Sequence, residues 1–235
     1  ASFSMNQTPY VVAFDCRSIT EAADLADQLS PQLCRAKVGK ELFTSCGMAV
    51  VDMLHAKGYE VFLDLKFHDI PNTVAGAVAV AAEAGVWMVN VHASGGRDMM
   101  GAAREAIETA NANTLLIAVT VLTSMSEQDM ALIGIRSSLP DHVLCLAKAA
   151  QESGLHGVVC SAQEAMMLRH ACGKDFMLVT PGIRAASDRG DDQSRVMTPI
   201  QAMQAGSDYL VVGRPVTQAE APRQALEELV AQLKT

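Results

Sequence analysis

The sequence predicts an α/β fold, a single-domain (β/α)8 barrel. Three observations carry this. Eight short apolar, β-branched runs recur along the chain. Ala-rich segments with helical spacing lie between them. The 235 residues match the ordinary size of such a barrel, about 250 residues. The runs are nearly continuous in apolar character, as expected of parallel strands covered on both faces. A doubly wound open sheet would more naturally carry a GxGxxG turn after its first strand. Here that strand ends in Phe14-Asp15-Cys16-Arg17-Ser18. There is no internal linker, low-complexity tract or second domain. The barrel is assigned to residues 9–235, and the polar residues 1–8 are expected to be disordered or, before Met5, foreign to the natural start.

The elements follow in order. The apolar runs are YVVAFD (10–15), RAKVG (35–39), EVFLDLK (60–66), VWMVNVH (86–92), TLLIAVTVL (114–122), GVVCS (157–161), FMLVTPG (176–182) and DYLVVGR (208–214). After the first, Ser18 or Thr20 can cap a helix N-terminus. After the second, a helical segment from Glu41 ends at Gly58, a residue suited to a helix C-terminus. The segment after the third run ends the same way at Gly85. Residues 218–234 read as one long amphipathic helix.

Composition narrows the function. A formal net charge of −8 argues against a nucleic-acid surface, which needs a basic face, but leaves room for a local basic pocket. No apolar run reaches the roughly 18 residues of a membrane span, and the start does not read as a signal peptide. The six cysteines show no CxxC spacing and lie in apolar segments. They are expected to be buried free thiols of a reducing, cytoplasmic setting. The histidines show no metal-pair spacing, so no metal site is expected. The methionines read as core filler.

The run VFLDLKFHDIPNTV (61–74) places charge where the pattern demands apolar residues. A charge in such a setting costs several kcal/mol unless paired. Residues two apart on a strand share a face. Asp64 and Lys66 should therefore point into the barrel while Leu63, Leu65 and Phe67 face the helices. Both lie at the carboxyl end of the strand, where barrel enzymes build their sites. Lys37 and Asp15 end neighbouring strands, and Asp69 follows by a short loop. Lys37, Asp64, Lys66 and Asp69 are expected to form a chain of alternating sign. A salt-bridge cluster without chemistry is the alternative. His92 is expected to be a hydrogen-bonded structural histidine, and Lys40 to sit at a helix start without a chemical role.

The last strand ends in Gly213-Arg214. Glycine lets a backbone approach a ligand closely, and arginine adds bidentate contacts to phosphate. The loops after strands seven and eight are the frequent phosphate site of such barrels. Between TPGIR (180–184) and TPIQAM (198–203) lies a polar stretch without apolar period. Its length and place suggest a lid over that site, or else a plain surface loop.

These residues resemble a known family. FLDLKFHDIPNT carries the DxKxxD signature of orotidine 5′-phosphate decarboxylases, and KVGKELF, TPGIR and YLVVGRP resemble that family's other motifs in the same order. The resemblance runs from Asp15 to Pro215. It implies cofactor-free decarboxylation of orotidine 5′-phosphate to uridine 5′-phosphate, the last step of pyrimidine synthesis, in a cytoplasmic homodimer. By motif matching, it implies Lys66 as proton donor to C6, Asp64 against the substrate carboxylate, and Lys37 paired with the acids and reaching the ribose. Asp69 would come from the partner subunit. Asp15 and Thr73 fall where the family binds ribose and phosphate regions, and Thr123 near the pyrimidine. Arg184, Gln193, Gly213 and Arg214 match ligand-contacting positions on or beside the lid. A sister enzyme acting on a keto-sugar phosphate through a metal-bound enediolate would carry an acid in place of Lys37. A catalytically silent nucleotide-binding barrel is the other alternative.

Overall fold

The computed structural model describes residues 8–184 and 197–234. Eight parallel strands close into a barrel in chain order. They are β1 (Tyr10–Ala13), β2 (Arg35–Val38), β3 (Val61–Phe67), β4 (Met88–His92), β5 (Leu115–Val119), β6 (Gly157–Val159), β7 (Met177–Thr180) and β8 (Tyr209–Val212). Val11 opposite Val211 closes the ring between β1 and β8. Around it run α1 (Ile19–Gln28), α2 (Lys40–Cys46), α3 (Ala49–Ala56), α4 (Pro71–Glu83), α5 (Arg97–Thr109), α6 (Glu127–Leu132), α7 (Leu139–Glu152), α8 (Ala162–Cys172), α9 (Pro199–Ala205), α10 (Arg214–Thr217) and α11 (Pro222–Gln232). Seven strands fall inside their apolar runs, and β3 overruns its run by one residue, Phe67.

Two apolar layers form. The larger joins the outward strand faces to the helices, through residues such as Val12, Leu63, Val89, Leu116 and Leu210. A smaller one fills the barrel axis with Val11, Phe62, Met88, Ile117 and Val179. One step further along β3 and β4, on the same inward face, stand Asp64 and Asn90. The apolar plug is thus the floor on which the polar residues rest. At Gly157 a Cβ would lie 2.2 Å from the Met177 carbonyl oxygen, so β6 can approach β7 this closely only with glycine there.

Helix boundaries follow local chemistry. Ser18, of the two candidates, caps α1 by accepting from the Glu21 N–H. Gly58 and Gly85 follow α3 and α4 at φ 88° and 77°, left-handed values that suit glycine. Two readings need correction. The segment before Gly58 is two helices, not one, because Gly47 takes φ 62° and ends α2. The C-terminal segment is shorter than expected: Pro222 sets the first turn of α11, since proline lacks the N–H a helix interior needs. All six cysteines are free; Cys34, Cys160 and Cys172 are buried, but Cys145 on α7 is exposed.

Candidate active site

The strands deliver three of the predicted charges to one point. The Asp64 carboxylate accepts from both sides: Lys37 Nζ stands 3.0 Å from Oδ2 and Lys66 Nζ 2.7 Å from Oδ1. Asp64 is 8% exposed. Burial alone would push its carboxyl up. The Lys37 and Lys66 ammonium groups, with hydrogen bonds from Lys66 and Asn90, outweigh burial and hold it at about 2.

The convergence does not come from simple strand alternation. Lys66 has φ 50°, a left-handed conformation that costs a side-chain-bearing residue about 1–3 kcal/mol. The β3–β4 register breaks between Leu63 and Phe67. The bulge leaves Leu65 and Phe67 packed on the outer core, as expected, while the Lys66 ammonium returns to Asp64.

Asn90 and Lys40 were not singled out as site residues. Asn90 is fully buried and donates from Nδ2 to Asp64 Oδ1 at 2.8 Å. Its Oδ1 accepts the Lys66 backbone N–H at 2.9 Å. The sequence held a signal for it: a polar amide on the inward parity of an apolar run, between Met88 and His92. Lys40, first residue of α2, feels the same field. Burial and then the Lys66 ammonium lower its pKa, Asp64 opposes them, and Lys37 adds to the lowering. His92 makes a ring contact with His68, centroids 5.3 Å apart. Burial, His68 and the nearby lysines lower its pKa.

A cavity of about 220 Å³ opens over these groups, lined by Lys37, Asp64, Lys66, Asn90, Thr123 and Val211 among others. A second cavity of about 680 Å³ shares Thr123 and Pro181 with it and extends along Ser161 and Gly182. Among the described residues, no three His, Cys, Asp or Glu side chains gather in a way that could hold a metal ion.

The remaining predicted residues lie at the carboxyl end of the strands but apart from the central cluster. Asp15 is exposed two residues beyond β1. Asp69 is exposed on the β3–α4 connection, where its carboxylate accepts the Ile70 N–H at 2.7 Å. It makes no ion pair among the described residues, so within one chain the expected alternating chain stops at Lys66. Thr73 is exposed in the first turn of α4, and Arg184 beyond β7. Gly213 precedes α10, and Arg214 opens that helix with an exposed side chain. Gln193 and most of the stretch expected to form a lid lie outside the described residues.

Comparison with known proteins finds a family that spans most of the chain. The model of the "Orotidine 5'-phosphate decarboxylase / HUMPS family" matches residues 8–229. An orotidine 5'-phosphate decarboxylase of Saccharophagus degradans is 57% identical, over 95% of this chain and 94% of its own length. One of Chromobacterium violaceum is 59% identical, over 96% and 92%. Among solved structures, orotidine 5'-phosphate decarboxylase from Lactobacillus acidophilus matches with a TM-score of 0.88 and 36% identity, over 97% of this chain and 99% of that one.

Proposed function

As the chain belongs to the orotidine 5′-phosphate decarboxylase / HUMPS family, we propose that it converts orotidine 5′-phosphate to uridine 5′-phosphate and CO2, closing pyrimidine nucleotide synthesis, without metal or organic cofactor. The observation that carries the reading is the Lys37–Asp64–Lys66 cluster at the cavity floor. Lysine at position 37 also favours it over the keto-sugar phosphate chemistry, because that position would there supply an acidic metal ligand.

The chemistry asks for such a cluster. As the C6–carboxylate bond breaks, its electron pair stays on C6, in the ring plane, with no adjacent π system to accept it. Stabilisation must come from a fixed cation. Lys66 is held in place by Asp64, and a proton of its ammonium group passes to C6 as CO2 leaves. Asp64 would face the substrate carboxylate. Two like charges about 4 Å apart repel by roughly 4 kcal/mol at an effective dielectric of about 20, and departure of CO2 relieves this. The offsetting binding energy comes from the remote phosphate, gripped by Arg214 and the lid around Arg184, Gln193 and Gly213. Asp15 and Thr73 would hold the ribose and phosphate regions, and Thr123 would lie near the pyrimidine.

The site is completed, on this reading, by a second copy of the chain in a twofold dimer. Among the described residues, the Lys37 and Lys66 ammonium groups share the Asp64 carboxylate, and Lys40, whose pKa is lowered first by burial and then by Lys66, lies within their field. Asp69 of the partner subunit would supply the missing acid. The direct test follows the absorbance of orotidine 5′-phosphate with purified protein stripped by chelation. Full turnover is expected. No turnover would end the reading, and turnover restored only by Mg2+ would end its cofactor-free part.

A further inference from the structure

Asn90 stands opposite the break in the β3–β4 ladder. Leu63 pairs with Val89 and Phe67 with Val91, so β3 advances four residues where β4 advances two. Within that gap the part-buried Lys66 N–H has left the ladder, and an N–H shielded from water without an acceptor is disfavoured. The Asn90 carbonyl oxygen takes it at 2.9 Å. The same amide donates to Asp64 Oδ1 at 2.8 Å, the oxygen that also receives Lys66 Nζ at 2.7 Å. The opposite orientation of the amide would set N–H against N–H and oxygen against carboxylate, so these two partners fix its sense.

We propose that Asn90 is the positioning residue for Lys66: its amide holds the Lys66 backbone in the left-handed bulge and fixes the Asp64 oxygen on which the Lys66 ammonium rests. The inference rests on the reading of Lys66 as the group that acts on substrate. Among the described residues, Lys66 and Asn111 are the two non-glycine residues at positive φ. Strain of this kind persists where the surroundings over-determine it, and Asn90 is the side chain that does so. An amide that merely satisfied an orphan N–H would not need to grip the carboxylate as well.

Three measurements separate positioning from plain structure. Asn90→Ala should lower kcat about 100-fold, the scale of a misplacement of about 1 Å. KM should change little, because phosphate is bound elsewhere. In substrate-free protein, the carboxyl 13C titration of Asp64 should move up, since a donor to the ionised form is lost. The charged and titratable groups facing Asp64 are Lys37 and Lys66, with Lys40 and His92 further out, and all remain in the variant. Asn90→Asp nearly keeps the volume. Its protonated form can both donate to Asp64 and accept from Lys66, whereas its ionised form repels Asp64. Its activity relative to wild type should therefore rise on acidification, and it carries the test if the alanine variant does not fold. A folded Asn90→Ala protein with wild-type kcat, or with an unmoved Asp64 titration, would overturn the proposal. So would an Asn90→Asp activity ratio flat in pH. Wild-type protein that does not turn over orotidine 5′-phosphate would strike the functional reading alone, because the Asp64 titration needs no substrate.

Discussion

Among the described residues Asp64 is the single carboxylate lining the small cavity, and two ammonium groups share it. Its folded-state pKa, held at about 2 against an ordinary 3.8, links stability to pH. A depressed carboxyl stabilises the folded state fully above its unfolded pKa and loses that contribution as pH falls through the folded value. We expect a contribution on the order of 2 kcal/mol, present above about pH 4 and lost between about pH 4 and 2. Urea unfolding of wild type and Asp64→Asn across this window checks it: the wild type should show the steeper fall, and equal slopes would contradict the assignment. The three central charges were legible because an ionised side chain in an apolar strand demands a partner. Asn90 was passed over because a neutral amide raises no such charge imbalance. The Lys66 bulge was hidden because a period of two carries no mark of where a strand departs from it.

At the level of elements, β-branched runs located all eight strands, since a strand covered on both faces has to be apolar throughout. Helix limits were less legible where a single residue decides them, as Gly47 does between α2 and α3 and Pro222 at the start of α11. The β8–α10 junction joins this level to function. Gly213 and Arg214 stand at the carboxyl mouth of the barrel, outside the lining of the small cavity, as a group that grips a remote phosphate should. A charge-assisted hydrogen bond there is worth about 1.5–3 kcal/mol. Arg214→Ala should accordingly raise KM for orotidine 5′-phosphate roughly 10- to 150-fold, and leave turnover of the nucleoside lacking phosphate nearly unchanged. Steady-state kinetics on both substrates reads this out. Equal losses on the two would assign Arg214 to structure instead.

On the scale of the whole molecule, a chain of net charge −8 concentrates positive charge at one point, where Lys37, Lys40 and Lys66 outnumber Asp64. The described part of one chain leaves that excess unbalanced, while Asp69, Ile70 and Thr73 stand exposed on the β3–α4 connection and the first turn of α4, Ile70 with 67% of its surface open. An isologous contact through this edge would give each site the other chain's Asp69. The sequence indicated this through the family resemblance and through the place of Asp69 on a loop beyond the strand end, although no pattern within one chain distinguishes an acid meant for its own site from one meant for a neighbour's. Complementation tests it most directly. Lys66→Ala and Asp69→Ala proteins, each nearly inactive alone, are unfolded together, refolded and assayed on orotidine 5′-phosphate, with heterodimers counted by mass spectrometry. With random exchange, half the dimers are mixed, and one site of each has both Lys66 and Asp69 intact. Activity should recover to roughly one quarter of wild type. Heterodimers formed without recovered activity would contradict the account and return Asp69 to its own chain's site.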